Sequence, residues 1–124
     1  MLTILDSSCW LEILGGSEKG GRYVTVAGDS ANLIVPSITI YEVYKRVLSF
    51  GGEEQALNAA LMMRRGRVVD LDDELAVSAA RYSLEHRLPM ADAVIYATAK
   101  RFQATLVTFD AHFKGLPGVE YEGN

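Results

Sequence analysis

The strongest constraint on this chain is the form of its apolar segments. Residues 2–5 (Leu-Thr-Ile-Leu), 32–35 (Asn-Leu-Ile-Val), 67–71 and 104–108 read as strands, with 119–121 as a short edge strand. They read as apolar runs, not as alternating patterns. Helical patterns lie between them, at 8–14, 18–29, 40–50, 53–65, 72–87 and 90–102. Parallel strands need a crossover long enough to hold a helix, so this order predicts parallel pairing. Runs without alternation predict a sheet covered by helices on both faces. The expected fold is an open α/β sandwich in one domain, residues 1–124. In such folds ligands bind outside the carboxyl ends of the strands.

That rule singles out acids. Asp6 directly follows the first strand, Glu42 lies in the first turns after the second, and Asp110 follows the fourth by one residue. Asp92 joins them only if the start of its helix reaches the same edge. Each has a plain structural reading. Asp6 can cap the helix that follows. Glu42 sits in Thr39-Ile40-Tyr41-Glu42, a capping-box pattern, and can pair with Arg46 one turn on. Asp110 can be a turn residue before Ala111-His112. Asp92 has the weakest such reading, because its surroundings (Met90 to Ala97) are apolar nearly all round.

Together the structural readings fail. Carboxylates about 5 Å apart repel by roughly 3 kcal/mol per pair at an effective dielectric near 20. A fold keeps such a cluster only if something cationic occupies it. Oxygen ligands suit Mg²⁺ or Mn²⁺, and zinc is disfavoured because His86, His112 and Cys9 have no ligand-like spacing. The net charge of −4 argues by itself against a nucleic-acid partner. One bound divalent cation brings it to −2 and two bring it to zero, so a polyanionic substrate is no longer disfavoured. Cys9 is the only cysteine, which excludes an intrachain disulfide and reads as a buried apolar residue. No apolar run approaches the ~20 residues of a membrane span, and Asp6 interrupts the N-terminal apolar stretch, so a cytoplasmic protein without membrane contact is expected. Gly15 and Gly20 have phosphate-loop spacing, but Gly21-Arg22 stands where Lys-Ser or Lys-Thr is required.

Four segments, in order, resemble the PIN-domain family and within it the VapC-type toxin ribonucleases: Leu2 to Ser8, Pro36 to Val43, Leu88 to Ala99 and Thr105 to Phe113. The resemblance implies a three-layer α/β sandwich with a five-stranded, mostly parallel sheet, a metal-dependent ribonuclease site, homodimers, and inhibition by a small antitoxin. Asp6, Glu42, Asp92 and Asp110 match the family's acidic quartet, and Thr108 and Ser7 its supporting hydroxyls. Phe109 stands where members often carry a polar or basic residue.

The expected function is that of a toxin endoribonuclease dependent on Mg²⁺ or Mn²⁺, leaving 5′-phosphate and 3′-hydroxyl ends. Asp6, Asp92 and Asp110 are expected to hold the metal, and Glu42 to complete the shell or take a proton from water. Thr108 is expected to orient Asp110. The candidate phosphate contacts are Lys45-Arg46, Arg64-Arg65-Arg67 and Lys100-Arg101. Two other readings compete. One is a catalytically silent RNA- or protein-binding module, which the complete quartet disfavours. The other is a receiver domain or phosphatase, which needs a dedicated Lys near a late strand end; Lys114 is the only Lys after Thr108 and has no such context.

Overall fold

A computed structural model describes residues 1–123. The strands are β1 (Thr3–Leu5), β2 (Leu33–Pro36), β3 (Arg67–Val69), β4 (Thr105–Thr108) and β5 (Val119–Tyr121). They form one five-stranded sheet in the order β3-β2-β1-β4-β5, with every neighbouring pair parallel. The expected α/β sandwich is therefore present, and its sheet is wholly parallel.

The helices are α1 (Ser7–Leu14), α2 (Glu18–Gly21), α3 (Val24–Gly28), α4 (Ser37–Met63), α5 (Asp73–His86) and α6 (Met90–Phe102). They cover both faces. Adjacent strand residues point oppositely, so Ile4, Ile34 and Leu106 pack with Leu75, Ile95, Tyr96 and Phe113, while Leu5, Val35 and Val107 pack with Trp10, Val43 and Met63. Among the described residues no helix is long and apolar enough to cross a membrane.

Two helical expectations change. The segment expected as one helix over 18–29 is two short helices, broken at Tyr23, which has φ −111° and ψ 5°. Its buried ring sends the hydroxyl to Glu120 Oε2 at 3.0 Å, tying this turn to β5. Gly20 lies so close to α1 that an added Cβ would stand 2.2 Å from the Glu12 carbonyl oxygen. That close approach requires glycine at position 20. The two helices expected at 40–50 and 53–65 run together as α4, kinked at Gly52 with φ 85° and ψ 176°.

Register explains what the sheet's carboxyl edge presents. Leu5 pairs with Val107 and Ile4 with Ile34, so Asp6, Pro36 and Thr108 come level across the edge. α4 starts directly after Pro36, which places Glu42 in its second turn. α6 is joined to β4 by a two-residue link, so it runs against the strand. Its length of about 20 Å carries its N-terminus back to the carboxyl edge, and Asp92 with it.

Gly52 holds a conformation that side-chain-bearing residues rarely adopt, with open space around it. Gly52→Ala should therefore cost about 1–3 kcal/mol through backbone strain alone, read from urea unfolding midpoints. A loss below about 0.5 kcal/mol would show that the kink relaxes without glycine.

Candidate active site

Asp6 is the most constrained acid. Its side chain is buried and caps α1 by accepting the Cys9 N–H at 3.0 Å on Oδ1. The Ser8 hydroxyl donates to the same oxygen at 2.6 Å, and the Thr108 hydroxyl donates to Oδ2 at 2.6 Å. Each hydroxyl has one proton, and both are used here. The 3.4 Å approach between Ser8 and Thr108 is thus a contact imposed by their shared acceptor. Burial pushes the Asp6 carboxyl above its ordinary range, and the three donors pull it back. Oδ1 is saturated by two donors, so Oδ2 keeps the lone pair open to another partner. The cap and the site are one residue, not alternatives.

Thr108 departs from its expected task. Its hydroxyl proton goes to Asp6, and it reaches Asp110 only by accepting that residue's backbone N–H at 2.9 Å. The side chain of Asp110 is aligned instead by His112, through its backbone N–H at 2.9 Å and ring Nδ1 at 2.7 Å, both on Oδ1. Ser8 is a supporting residue that the sequence reading missed. Besides holding Asp6, its hydroxyl oxygen accepts the Phe109 N–H at 3.0 Å, linking α1 to the end of β4. Ser7 lies beside Glu42 instead, where its hydroxyl favours the charged form.

Both structural readings of Glu42 fail. α4 begins at Ser37, its N-cap is Pro36, and the Thr39 hydroxyl is buried without a partner, so no capping box forms. No ion pair joins Glu42 to Arg46 among the described residues. Glu42 Oε1 is buried with no hydrogen-bond partner. Desolvation, and then the charges of Asp6 and Asp110, push its carboxyl upward against the Ser7 hydroxyl. Asp92, its side chain 13% exposed, is pushed up to about 7, first by burial and then by Asp110 and Glu42, with Asp6 adding less. All six pairings within the quartet act across short distances, so the structure does bring the four acids together.

The tightest group within the site is Asp92, Asp110 and His112, with one potential ligand atom from each lying within 4.8 Å of the others. Sequence spacing gave no sign of His112, because Asp92 reaches it from another helix. A divalent cation fits these groups together with the rest of the quartet. The carboxylates are partly desolvated, Glu42 Oε1 is orphaned, and the mutual repulsion has no compensating Lys or Arg among the ion pairs of the described residues.

The basic candidates separate. Lys45 and Arg46 line a surface cleft with Glu42, Tyr41 and Ser49, and Lys45 Nζ stands 5.6 Å from the centre of the exposed Tyr41 ring. Arg64 and Arg65 precede β3, and Lys100 and Arg101 end α6, so these four lie at the opposite edge of the sheet from the acids. Arg101 is also held by Asp72 in a two-pronged pair at 3.0 and 3.2 Å, and Lys100 sits over the Tyr96 ring. Arg67 stacks on Phe102. Cys9 is buried, with its thiol pushed up to about 12, and stays protonated.

The chain matches the PIN domain family over residues 3–119. No curated protein matches it in sequence. Among solved structures it is similar to a toxin–antitoxin complex from Klebsiella pneumoniae, at 19% identity over 95% of each chain with a TM-score of 0.82. It is also similar to VapC20 of Mycobacterium tuberculosis, described as a sarcin-ricin loop cleaving toxin, at 17% identity over 93% of this chain and 95% of that one, TM-score 0.76. A DNA-bound VapBC of Salmonella typhimurium is 22% identical over 99% and 98%, TM-score 0.74. At these identities the likeness is one of fold.

The raised carboxyl of Asp92 sets a pH dependence. The folded state keeps a proton up to about pH 7 that the unfolded chain releases near its ordinary value, so metal-free stability falls as pH rises through that window. Urea unfolding in EDTA should lose on the order of 2–4 kcal/mol between about pH 4 and pH 7. Asp92→Asn should flatten that decline; an equally steep decline in the variant would assign it to other groups.

Proposed function

Because the chain belongs to the PIN-domain family, we propose that it is a metal-dependent endoribonuclease of the VapC toxin type. One observation carries this reading: four carboxylates converge at the carboxyl edge of the sheet, with Glu42 Oε1 left unpaired and Asp92 pushed up to about 7. A purely structural cluster has no reason to keep that arrangement.

In this reading Asp92, Asp110 and the open lone pair of Asp6 hold Mg²⁺ or Mn²⁺. When bound, the cation neutralises charge on the scissile phosphate and makes a neighbouring water more acidic. The chain's own groups do the rest. Ser8 and Thr108 fix the Asp6 carboxylate so that it need not reorganise during the reaction. Glu42 either completes the ligand shell or accepts a proton from the attacking water. Its raised carboxyl, with Oε1 unpaired, suits the second role. Water attacks phosphorus in line with the departing 3′ oxygen, which leaves 5′-phosphate and 3′-hydroxyl ends. Lys45 and Arg46, beside Glu42, are the cations placed to hold the flanking phosphates, and Tyr41 offers an exposed ring on which a base can stack.

The partners in this reading are RNA, a small antitoxin and a second copy of the chain, in the cytoplasm. The toxin–antitoxin assemblies with the same fold support the antitoxin. So does an apolar groove between α1 and α4, lined by Leu11, Leu14, Val47, Phe50 and Met62. An amphipathic helix binds such a surface.

The test is incubation of the purified protein with end-labelled total RNA in Mg²⁺, in Mn²⁺ and in EDTA. Discrete cuts with 5′-phosphate ends are expected. They should vanish in EDTA and fall about 100-fold or more in Asp92→Asn, the scale of about 3 kcal/mol of transition-state stabilisation. Ends carrying 2′,3′-cyclic phosphate would contradict this chemistry. RNA bound but left intact would reassign the chain to a silent binding module.

A further inference from the structure

We propose that His112 is itself a ligand of the site's cation, through Nδ1, and that this nitrogen makes the site select Mn²⁺ over Mg²⁺. The inference rests on the metal-dependent reading above and deepens it. His112 belongs to a short 3₁₀ turn, Ala111–Phe113, whose position is fixed at both ends. Asp110 caps the turn by accepting the His112 backbone N–H, and Phe113 is wholly buried in the core. The ring is therefore held by a fixed backbone and is not a side chain passing over the surface.

Its Nδ1 lies 2.7 Å from Asp110 Oδ1 and 3.6 Å from Asp92 Oδ2. Neighbouring donors on a six-coordinate cation with ~2.1 Å bonds stand about 3 Å apart, between these two separations. Nδ1 thus faces both carboxylates, at the position where a cation held between the two of them would meet it. The rest of the ring is exposed, with 55% of the side chain open to solvent, so Nε2–H can point to water, as the second nitrogen of a ligating imidazole commonly does.

The consequence is selectivity. Mg²⁺ is hard, prefers oxygen and gives up water reluctantly. Mn²⁺ takes oxygen ligands as Mg²⁺ does but, as a first-row transition ion, also accepts an imidazole nitrogen, so a nitrogen at this position favours Mn²⁺ over Mg²⁺.

The test uses the purified chain with each metal alone. Calorimetric titration gives Mn²⁺ and Mg²⁺ affinities for the wild type, His112→Ala, His112→Asn and Asp92→Asn. Electron spin-echo envelope modulation of the Mn²⁺-loaded protein reports whether an imidazole nitrogen is bound. The expected result is a nitrogen modulation in the wild type that both His112 variants lose. Mn²⁺ affinity should fall about tenfold or more in both, with Mg²⁺ affinity nearly unchanged. Recovery of Mn²⁺ affinity in His112→Asn, which keeps a donor for Asp110, would overturn ligation in favour of positioning. Mn²⁺ bound without nitrogen modulation, yet lost in Asp92→Asn, would also overturn it while leaving the metal site standing. Failure of the wild type to bind either metal would overturn both this inference and the functional reading beneath it.

Discussion

The Asp6 carboxylate is the junction on which the rest of the structure depends. It closes the first turn of α1 through Cys9 N–H, anchors Ser8 beside it, and receives the hydroxyl of Thr108 from the end of β4. Those bonds join the central strand, the first helix and a neighbouring strand at one atom group. Ser8 and Thr108 then each pass a second contact onward, to the backbone N–H groups of Phe109 and Asp110. The loop carrying Asp110 and His112 is thus held by the same few hydroxyls that satisfy Asp6. A buried carboxylate without such donors would be strongly unfavourable.

The other acids are less well satisfied, and that contrast is informative. Asp6 has three donors, whereas Glu42 keeps a buried oxygen with none and, among the described residues, Asp92 is met only by a ring nitrogen at 3.6 Å. The fold has put its hydrogen-bonding capacity into fixing one carboxylate and left open positions on its neighbours. That division suits a site that positions one ligand firmly and leaves the remaining charge for a cation. It also accounts for the partial burial, since desolvation raises the energy of the empty cluster and strengthens every interaction within it once filled.

Much of this was legible in the residues. Apolar runs without alternation predicted the covered parallel sheet, and register then carried Asp6 and Asp110 to one edge. The capping and turn roles of those two acids are legible too, and they look like alternatives to a functional role. In the structure one side chain serves both. What failed to show was whatever depends on contacts between distant segments. Ser8 and His112 look like ordinary turn and surface residues until β4 comes to lie beside β1 and α6 reaches back to the edge. Arg64, Arg65, Lys100 and Arg101 read in sequence as candidate phosphate contacts, yet the chain's direction puts them at the edge away from the acids. The capping box at Thr39 and Glu42 was lost because α4 begins earlier, at Ser37, directly after Pro36.

The central claim is that the fold tolerates converging carboxylates because a divalent cation relieves them. The direct test is thermal melting of the wild type and Asp92→Asn, in EDTA and in saturating Mn²⁺ or Mg²⁺. The account predicts that the variant melts higher than the wild type in EDTA, and that metal raises the wild-type Tm by roughly 5 °C or more while moving the variant much less. A wild-type Tm unchanged by metal, together with a variant that melts lower in EDTA, would show that Asp92 is a structural cap and contradict the account.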